Sequence, residues 1–101
     1  MIDYQQLKDS VRDNTDRIVE VKVGEVIYYF TQILSDYANG LAKDFKINYS
    51  LNLSNNIPDS TKKEIVQKIS KVMEDKGYSP NVKIYYGNGC TFVSFYLEIL
   101  L

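Results

Sequence analysis

The chain contains no histidine, no tryptophan, a single cysteine and two prolines in 101 residues. Without histidine, both the commonest general base and the commonest zinc ligand are missing, and the one thiol, Cys90, has no imidazole to activate it. Most catalytic constellations are excluded on these grounds, so the reading is non-enzymatic, with no metal and no cofactor expected. A lone cysteine closes no bridge within its own chain, which points to a reducing compartment and a cytoplasmic location. Two Asn-X-Ser sequons, at Asn48 and Asn52, would matter only in an exported protein. Charge of one sign is also scarce. Twelve cations against thirteen acids leave a net of -1, too balanced for either a basic nucleic-acid binder or an acidic DNA mimic. Long apolar runs are missing as well. The most apolar stretch, residues 93–101, has about half the length of a membrane helix and is interrupted by Glu98. The first residues are acids and amides where a signal peptide would be basic and then apolar, so neither a targeting segment nor a membrane partner is expected.

What is present is the composition of one soluble globular domain, with 45% hydrophobic, 13% aromatic and 25% charged residues. A chain of this size can bury roughly two thirds of the surface its unfolded form exposes, enough for a core without staples. We therefore read 1–101 as a single domain, with residues 1–22 a candidate helical extension or oligomerisation segment. The charges are unevenly spread: residues 1–40 carry four cations and seven acids, a net of -3, whereas residues 41–83 carry eight cations and five acids, a net of +3. Such a split lets two parts of one fold, or two copies, complement each other.

Val23, Val26, Ile27, Phe30, Ile33, Leu34, Tyr37 and Leu41 recur at steps of three and four, which predicts an amphipathic helix ending at Asn39-Gly40. Upstream, Tyr4, Leu7, Val11, Asn14, Ile18 and Val21 form a heptad-like seam, either part of an ordinary amphipathic helix or a short coiled-coil seam. An unbroken helix cannot aim both stripes at one small sheet. The run Val19, Val21, Val23 also suits a short strand, and Gly24 weakens a helix by about 1 kcal/mol relative to Ala. A bend or break is therefore expected between Asp13 and Gly24. From Phe45 the period becomes two, with Phe45, Ile47, Tyr49, Leu51 and Leu53 alternating with polar residues in a half-buried strand. Thr61 and Glu64 have capping-box spacing for a second helix, whose stripe is Ile65, Ile69, Val72 and Met73 with Val66 at its edge, and which stops at Gly77.

The last third reads as a hairpin around Asn88-Gly89, a dipeptide suited to a type I′ turn. If Gly87 opposes Cys90, the pairs Tyr86–Thr91, Tyr85–Phe92, Ile84–Val93, Lys83–Ser94 and Val82–Phe95 join like with like on each face. The expected fold class is α+β: an N-terminal helix, then β-α-β-β, with a three-stranded mixed sheet in the order 1-3-2 and the helices on one face. Twelve inward strand side chains, among them Phe45, Ile84 and Tyr86, are expected beneath those helices.

Tyr85, Phe92 and Tyr96 then share the face away from the helices, with Lys46, Lys83, Asn48 and Asn52 around them. Three readings apply: the core of a protein interface, cross-strand pairs on a wet face, or a stacking platform for single-stranded nucleic acid. The last lacks the RNA-recognition-motif signature and its fourth strand. Lysines 62, 63, 68, 71 and 76 alternate with acids and read as a solvated helix surface. Gly87-Asn88-Gly89-Cys90 lacks the Lys-Ser/Thr of a phosphate loop and reads as a turn. The carboxylate pairs Asp13/Asp16 and Glu74/Asp75 fall on helix surfaces beside cations and imply no metal cage.

Lys76-Gly77-Tyr78, Val82-Lys83-Ile84-Tyr85-Tyr86-Gly87 and Thr91-Phe92-Val93-Ser94-Phe95 together resemble the C-terminal part of small, uncharacterised bacteriophage proteins, a likeness confined to residues 76–95. The abundance of Lys, Asn, Ile and Tyr beside two arginines is similar to proteins of AT-rich phages and low-GC bacteria. The resemblance implies a phage origin and no activity. The expected function is that of a small protein-interaction or structural protein of host cytoplasm or virion. Its interface candidates are Tyr85, Phe92 and Tyr96 on the sheet and Leu7, Val11, Ile18 and Val21 on the helix. Its partners would be a second copy, in a homo-oligomer and first of all a dimer, or a host or virion protein. A single-stranded nucleic-acid-binding module is the alternative.

Overall fold

A computed structural model describes residues 1–40 and 46–99. The element order is α1 (Tyr4–Ala38), β1 (Lys46–Ser54), α2 (Asp59–Asp75), β2 (Asn81–Tyr86) and β3 (Cys90–Glu98). Asp3 caps α1 with a full capping box: its carboxylate accepts from the Gln6 amide at 2.8 Å, and the Asp3 amide donates to Gln6 Oε1 at 3.0 Å. The helix then runs unbroken for 35 residues, through the stretch where a bend or break was expected. Tertiary burial on both sides of Gly24 accounts for the difference: Val19, Val26 and Phe30 are buried and hold the chain helical across the weak residue and across the Val19-Val21-Val23 run. At 1.5 Å per residue such a helix is about 52 Å long, and the molecule's longest extent is 57 Å.

Helix α2 begins earlier than the Thr61–Glu64 spacing suggests. Its cap is Pro58 (φ -57°), and Thr61 is already helical and buried, so that capping box does not form. A proline supplies a helix-like φ without needing a donor partner, which lets the helix start ahead of Thr61. The other end follows the expected stop. Gly77 (φ 92°) donates to the Glu74 carbonyl at 2.9 Å and Tyr78 donates to the Met73 carbonyl at 3.0 Å, the paired bonds of a Schellman closure.

The sheet order is β1-β3-β2, as expected, but the sheet is antiparallel at both junctions and not mixed. The hairpin forces β2 and β3 to run oppositely, and β3 lies between the two strands that share a direction, so no parallel neighbours touch. The β2–β3 register is the one read from like-with-like pairing, from Tyr86 opposite Thr91 to Val82 opposite Phe95. The turn differs in detail. Only Gly89 takes a positive φ (81°), and no non-glycine residue among those described does, so the two positive angles of a type I′ turn are not both present. A Cβ makes that conformation costly for Asn88 and free for Gly89.

Val19, Val26 and Phe30 of α1, Ile65, Ile69 and Met73 of α2, Ile47, Leu51 and Leu53 of β1, and Val93, Phe95 and Leu97 of β3 form one core cluster. Val72, assigned to the α2 stripe, is instead exposed beside Lys68 and Gly24 at the rim between the helices. Two inward-facing residues of β2 also escape the core: Ile84 is 47% exposed and Tyr86 is 84% exposed. They correct the expectation of twelve covered strand side chains, because β2 is an edge strand that overhangs its cover. Phe45 and Leu41 lie outside the described residues.

Candidate interaction surfaces

The first surface is the N-terminal part of α1. Residues 1–14 are all exposed, and Val19 is the first residue to enter the core, so about three helical turns extend beyond the domain. In a helix of 3.6 residues per turn, Leu7, Val11 and Ile18 lie within about 40° of one another, whereas Val19, Val26 and Phe30 centre about 100° away. The structure thus brings Tyr4, Leu7, Val11, Ile18 and Val21 together as a solvent-facing stripe that the core does not use. The same geometry sorts the charges. Lys8 and Lys22 border the stripe on one side and Arg17 on the other, while Asp9, Asp13, Asp16 and Glu20 stand on the opposite face. The ammonium of Lys8 sits 5.3 Å from the centre of the Tyr4 ring, a cation–π contact at the edge of the stripe. Sequence reading found the apolar positions but not this cationic border, which the 100° step per residue encodes once the helix is known to be continuous.

The second surface is the outer face of the sheet. Tyr85 pairs with Phe92, and Tyr96 lies between Asn48 of β1 and Asn81 of β2, so the three aromatic residues occupy one face as expected. Tyr85 and Phe92 are exposed and Tyr96 is half-buried. The Phe92 ring lies against Gly87, with ring carbons 3.7 to 4.0 Å from where a Cβ would stand. Tyr85, Tyr96, Lys83, Asn48, Asn81 and Ser94 line an open depression of about 340 Å³. The Ser94 hydroxyl donates to Asn48 Oδ1 at 2.6 Å and ties its floor to β1. Cations are few here, and Lys46 stands opposite Glu98.

A third feature was not anticipated. Between α2 and the overhanging strand β2 runs a groove of about 460 Å³, walled by Asp59, Lys62, Lys63, Val66 and Gln67 and floored by Ile84 and Tyr86. The Lys62 ammonium spans its end, donating to Thr91 Oγ1 at 3.1 Å and approaching Asp59 at 3.8 Å. Period-two patterning had placed Ile84 and Tyr86 on the inward face, but pattern alone does not say how far a helix reaches across a sheet. The thiol of Cys90 is free and half-buried beside the hairpin turn.

Among the described residues, no group of three or more acidic or cysteine side chains is arranged to hold a metal ion. No helix among them is long and apolar enough to cross a membrane. No protein-family model, curated protein or solved structure shows significant similarity to this chain.

Proposed function

We propose that this chain is a non-enzymatic protein-interaction module that docks a partner through the projecting part of α1. The observation that carries this reading is the exposure of Tyr4, Leu7, Val11, Ile18 and Val21 along one side of a continuous helix, upstream of the point where that side meets the sheet at Tyr29. An apolar stripe of this length on a free helix favours a second helix or a groove. The cationic border of Lys8, Arg17 and Lys22 favours a partner surface edged with carboxylates, since rim charges set orientation and partner choice. In this reading both helices lie over the buried face of the sheet, as their shared core cluster supports, and the outer face is left open. The likeness of residues 76–95 to small phage proteins supports a phage origin, with a host or virion protein as the partner in the host cytoplasm or the particle.

Affinity capture with the wild type and with a Val11→Asp, Ile18→Asp double variant tests the proposal. A partner identified by mass spectrometry should be retained by the wild type and lost with the double variant, while Tyr85→Ala, Tyr96→Ala retains it. A partner that follows the sheet variant instead moves the docking surface to the outer face. The second reading, single-stranded nucleic-acid binding, draws on exposed Tyr85 and Phe92 beside Lys83. A salt-dependent shift of a labelled oligonucleotide, abolished in Tyr85→Ala, Tyr96→Ala, would favour it.

A further inference from the structure

We propose that the free edge of β2 pairs with β2 of a second copy, antiparallel about a two-fold axis at Ile84, to give a six-stranded sheet. The hydrogen-bond parity of the hairpin fixes which backbone groups are available. The Gly87 amide donates to the Cys90 carbonyl at 3.0 Å, so Gly87 and Cys90 are a bonded pair. Along the observed register, Tyr85–Phe92, Lys83–Ser94 and Asn81–Tyr96 are then the bonded pairs as well. The N–H and C=O groups of Val82, Ile84 and Tyr86 therefore point outward along the edge, where no strand among the described residues meets them.

This edge is self-complementary. With Ile84 opposite Ile84 of the second copy, Val82 stands opposite Tyr86, and the outward groups of all three residues are satisfied at once. The side chains agree with the backbone. Val82, Ile84 and Tyr86 of both copies fall on the core side, while Lys83 lies opposite Tyr85 on the outer side, an ammonium beside a ring. A one-residue slip would pair apolar with polar across the junction, so this register is the favoured one.

The groove supplies an independent reason. Ile84 and Tyr86 are inward residues left 47% and 84% exposed because α2 does not reach over β2. A second copy brings its own β2 and α2 to the far side of the gap, so the two half-grooves close on one another. Charge fits the same arrangement. Asp59, Lys63, Val66, Ser70 and Glu74 recur at steps of three and four and share one side of α2, of which Asp59, Lys63 and Val66 line the groove. Two antiparallel copies of that side bring the acids and the lysine of both copies to the same junction. The edge also lacks the usual defences within the strand: there is no proline or bulge, and its lysine, Lys83, lies on the outer face. Six-residue strands make a small interface, so association is expected at the weak end of specific pairing. The inference does not depend on the docking role of α1, which this arrangement leaves free.

Sedimentation equilibrium on the full chain tests it. The wild type should pass from the monomer to twice the monomer mass as concentration rises to about 100 μM. Ile84→Lys should weaken association at least tenfold with an unchanged circular dichroism spectrum. Disulfide trapping reads the register without relying on that variant's folding. In a Cys90→Ser background, Ile84→Cys should oxidise to a covalent dimer, because directly bonded pairs place Cα atoms about 5.5 Å apart. Lys83→Cys should not, since its counterpart is displaced diagonally beyond the roughly 7 Å that a disulfide spans. A wild type that stays monomeric throughout overturns the proposal. So does a dimer that survives Ile84→Lys and dissociates in Val11→Asp, Ile18→Asp, or equal trapping at both cysteine positions.

Discussion

The rings of Tyr29 and Tyr49 meet with centroids 4.8 Å apart at an interplanar angle of 48°, joining the middle of α1 to β1. Tyr29 also packs edge-on against the buried Phe30 at 5.6 Å. One turn before Tyr29, the Glu25 carboxylate stands near enough to the Tyr49 phenol to act on it electrostatically, so the side of α1 that carries the solvent stripe meets the sheet there.

Burial, followed by the Glu25 carboxylate, pushes the Tyr49 phenol above its ordinary value of about 10. The folded state therefore holds this proton more tightly than the unfolded chain does. Its stabilising contribution is complete below pH 10, diminishes once the unfolded chain can ionise, and is lost as pH rises through the folded value. Urea unfolding at pH 8, 10 and 11 should show stability falling over the upper interval, with a shallower fall in Tyr49→Phe. Parallel slopes would remove Tyr49 as a source of the alkaline loss.

Phe95 is fully buried at the centre of the middle strand, whereas Phe92, three residues earlier, is 38% exposed on the outer face. Phe95→Ala should cost about 3 to 5 kcal/mol and Phe92→Ala markedly less, as measured by chemical denaturation. Equal costs would mean that the two sheet faces are reversed.

Gly24 and Gly77 should respond to alanine in opposite directions. A Cβ on Gly24 meets nothing within 4 Å in a helical backbone, so Gly24→Ala should stabilise by roughly 0.5 to 1 kcal/mol. Gly77 also has open space but sits at φ 92° in the α2 closure, and Gly77→Ala should destabilise by about 1 kcal/mol. Thermal unfolding of the two variants reads both signs.

Loss of the α1 cap should be felt locally. Asp3→Ala removes one acceptor and half of the reciprocal pair with Gln6, a change worth about 1 kcal/mol to a helix end. Because residues 1–14 do not enter the core, amide exchange should accelerate in the first turns while the global unfolding free energy stays within about 0.5 kcal/mol of wild type. A global loss of the full cap energy would show that these turns are coupled to the domain.

The hairpin register and the strand order were legible because both rest on short-range rules: Asn88-Gly89 marks the turn, and one residue of slip would mix Val82 and Ile84 with Ser94 and Phe92. Helix starts were less legible. Pro58 displaced Thr61 as the cap, a competition between two acceptable signals that tertiary burial of Thr61 decides. Val19 enters the sequence reading only through the strand-like run Val19, Val21, Val23, although it lies seven residues before Val26, two turns along the same stripe, because Ile18 and Val21 offer a competing seam. Of the candidate surfaces, the aromatic face followed from alternation alone. The isolation of the α1 stripe depended on continuity through Gly24, and the exposure of Ile84 depended on how far α2 extends, a three-dimensional quantity that no local period encodes.

The continuity of α1 has a kinetic consequence for any partner that binds its first turns. Helix initiation is the costly step, because several residues must be fixed before the first hydrogen bond forms. In α1 that step is accomplished inside the domain, where Val19, Val26 and Phe30 hold the chain against the sheet. Every residue toward Tyr4 is then added by propagation from an existing template, with the Asp3–Gln6 box closing the far end. A detached peptide of the same sequence would have to order itself during each encounter. Attached to its domain, the segment arrives already wound, so ordering entropy is removed from the binding step, and association should be limited by orientation and diffusion.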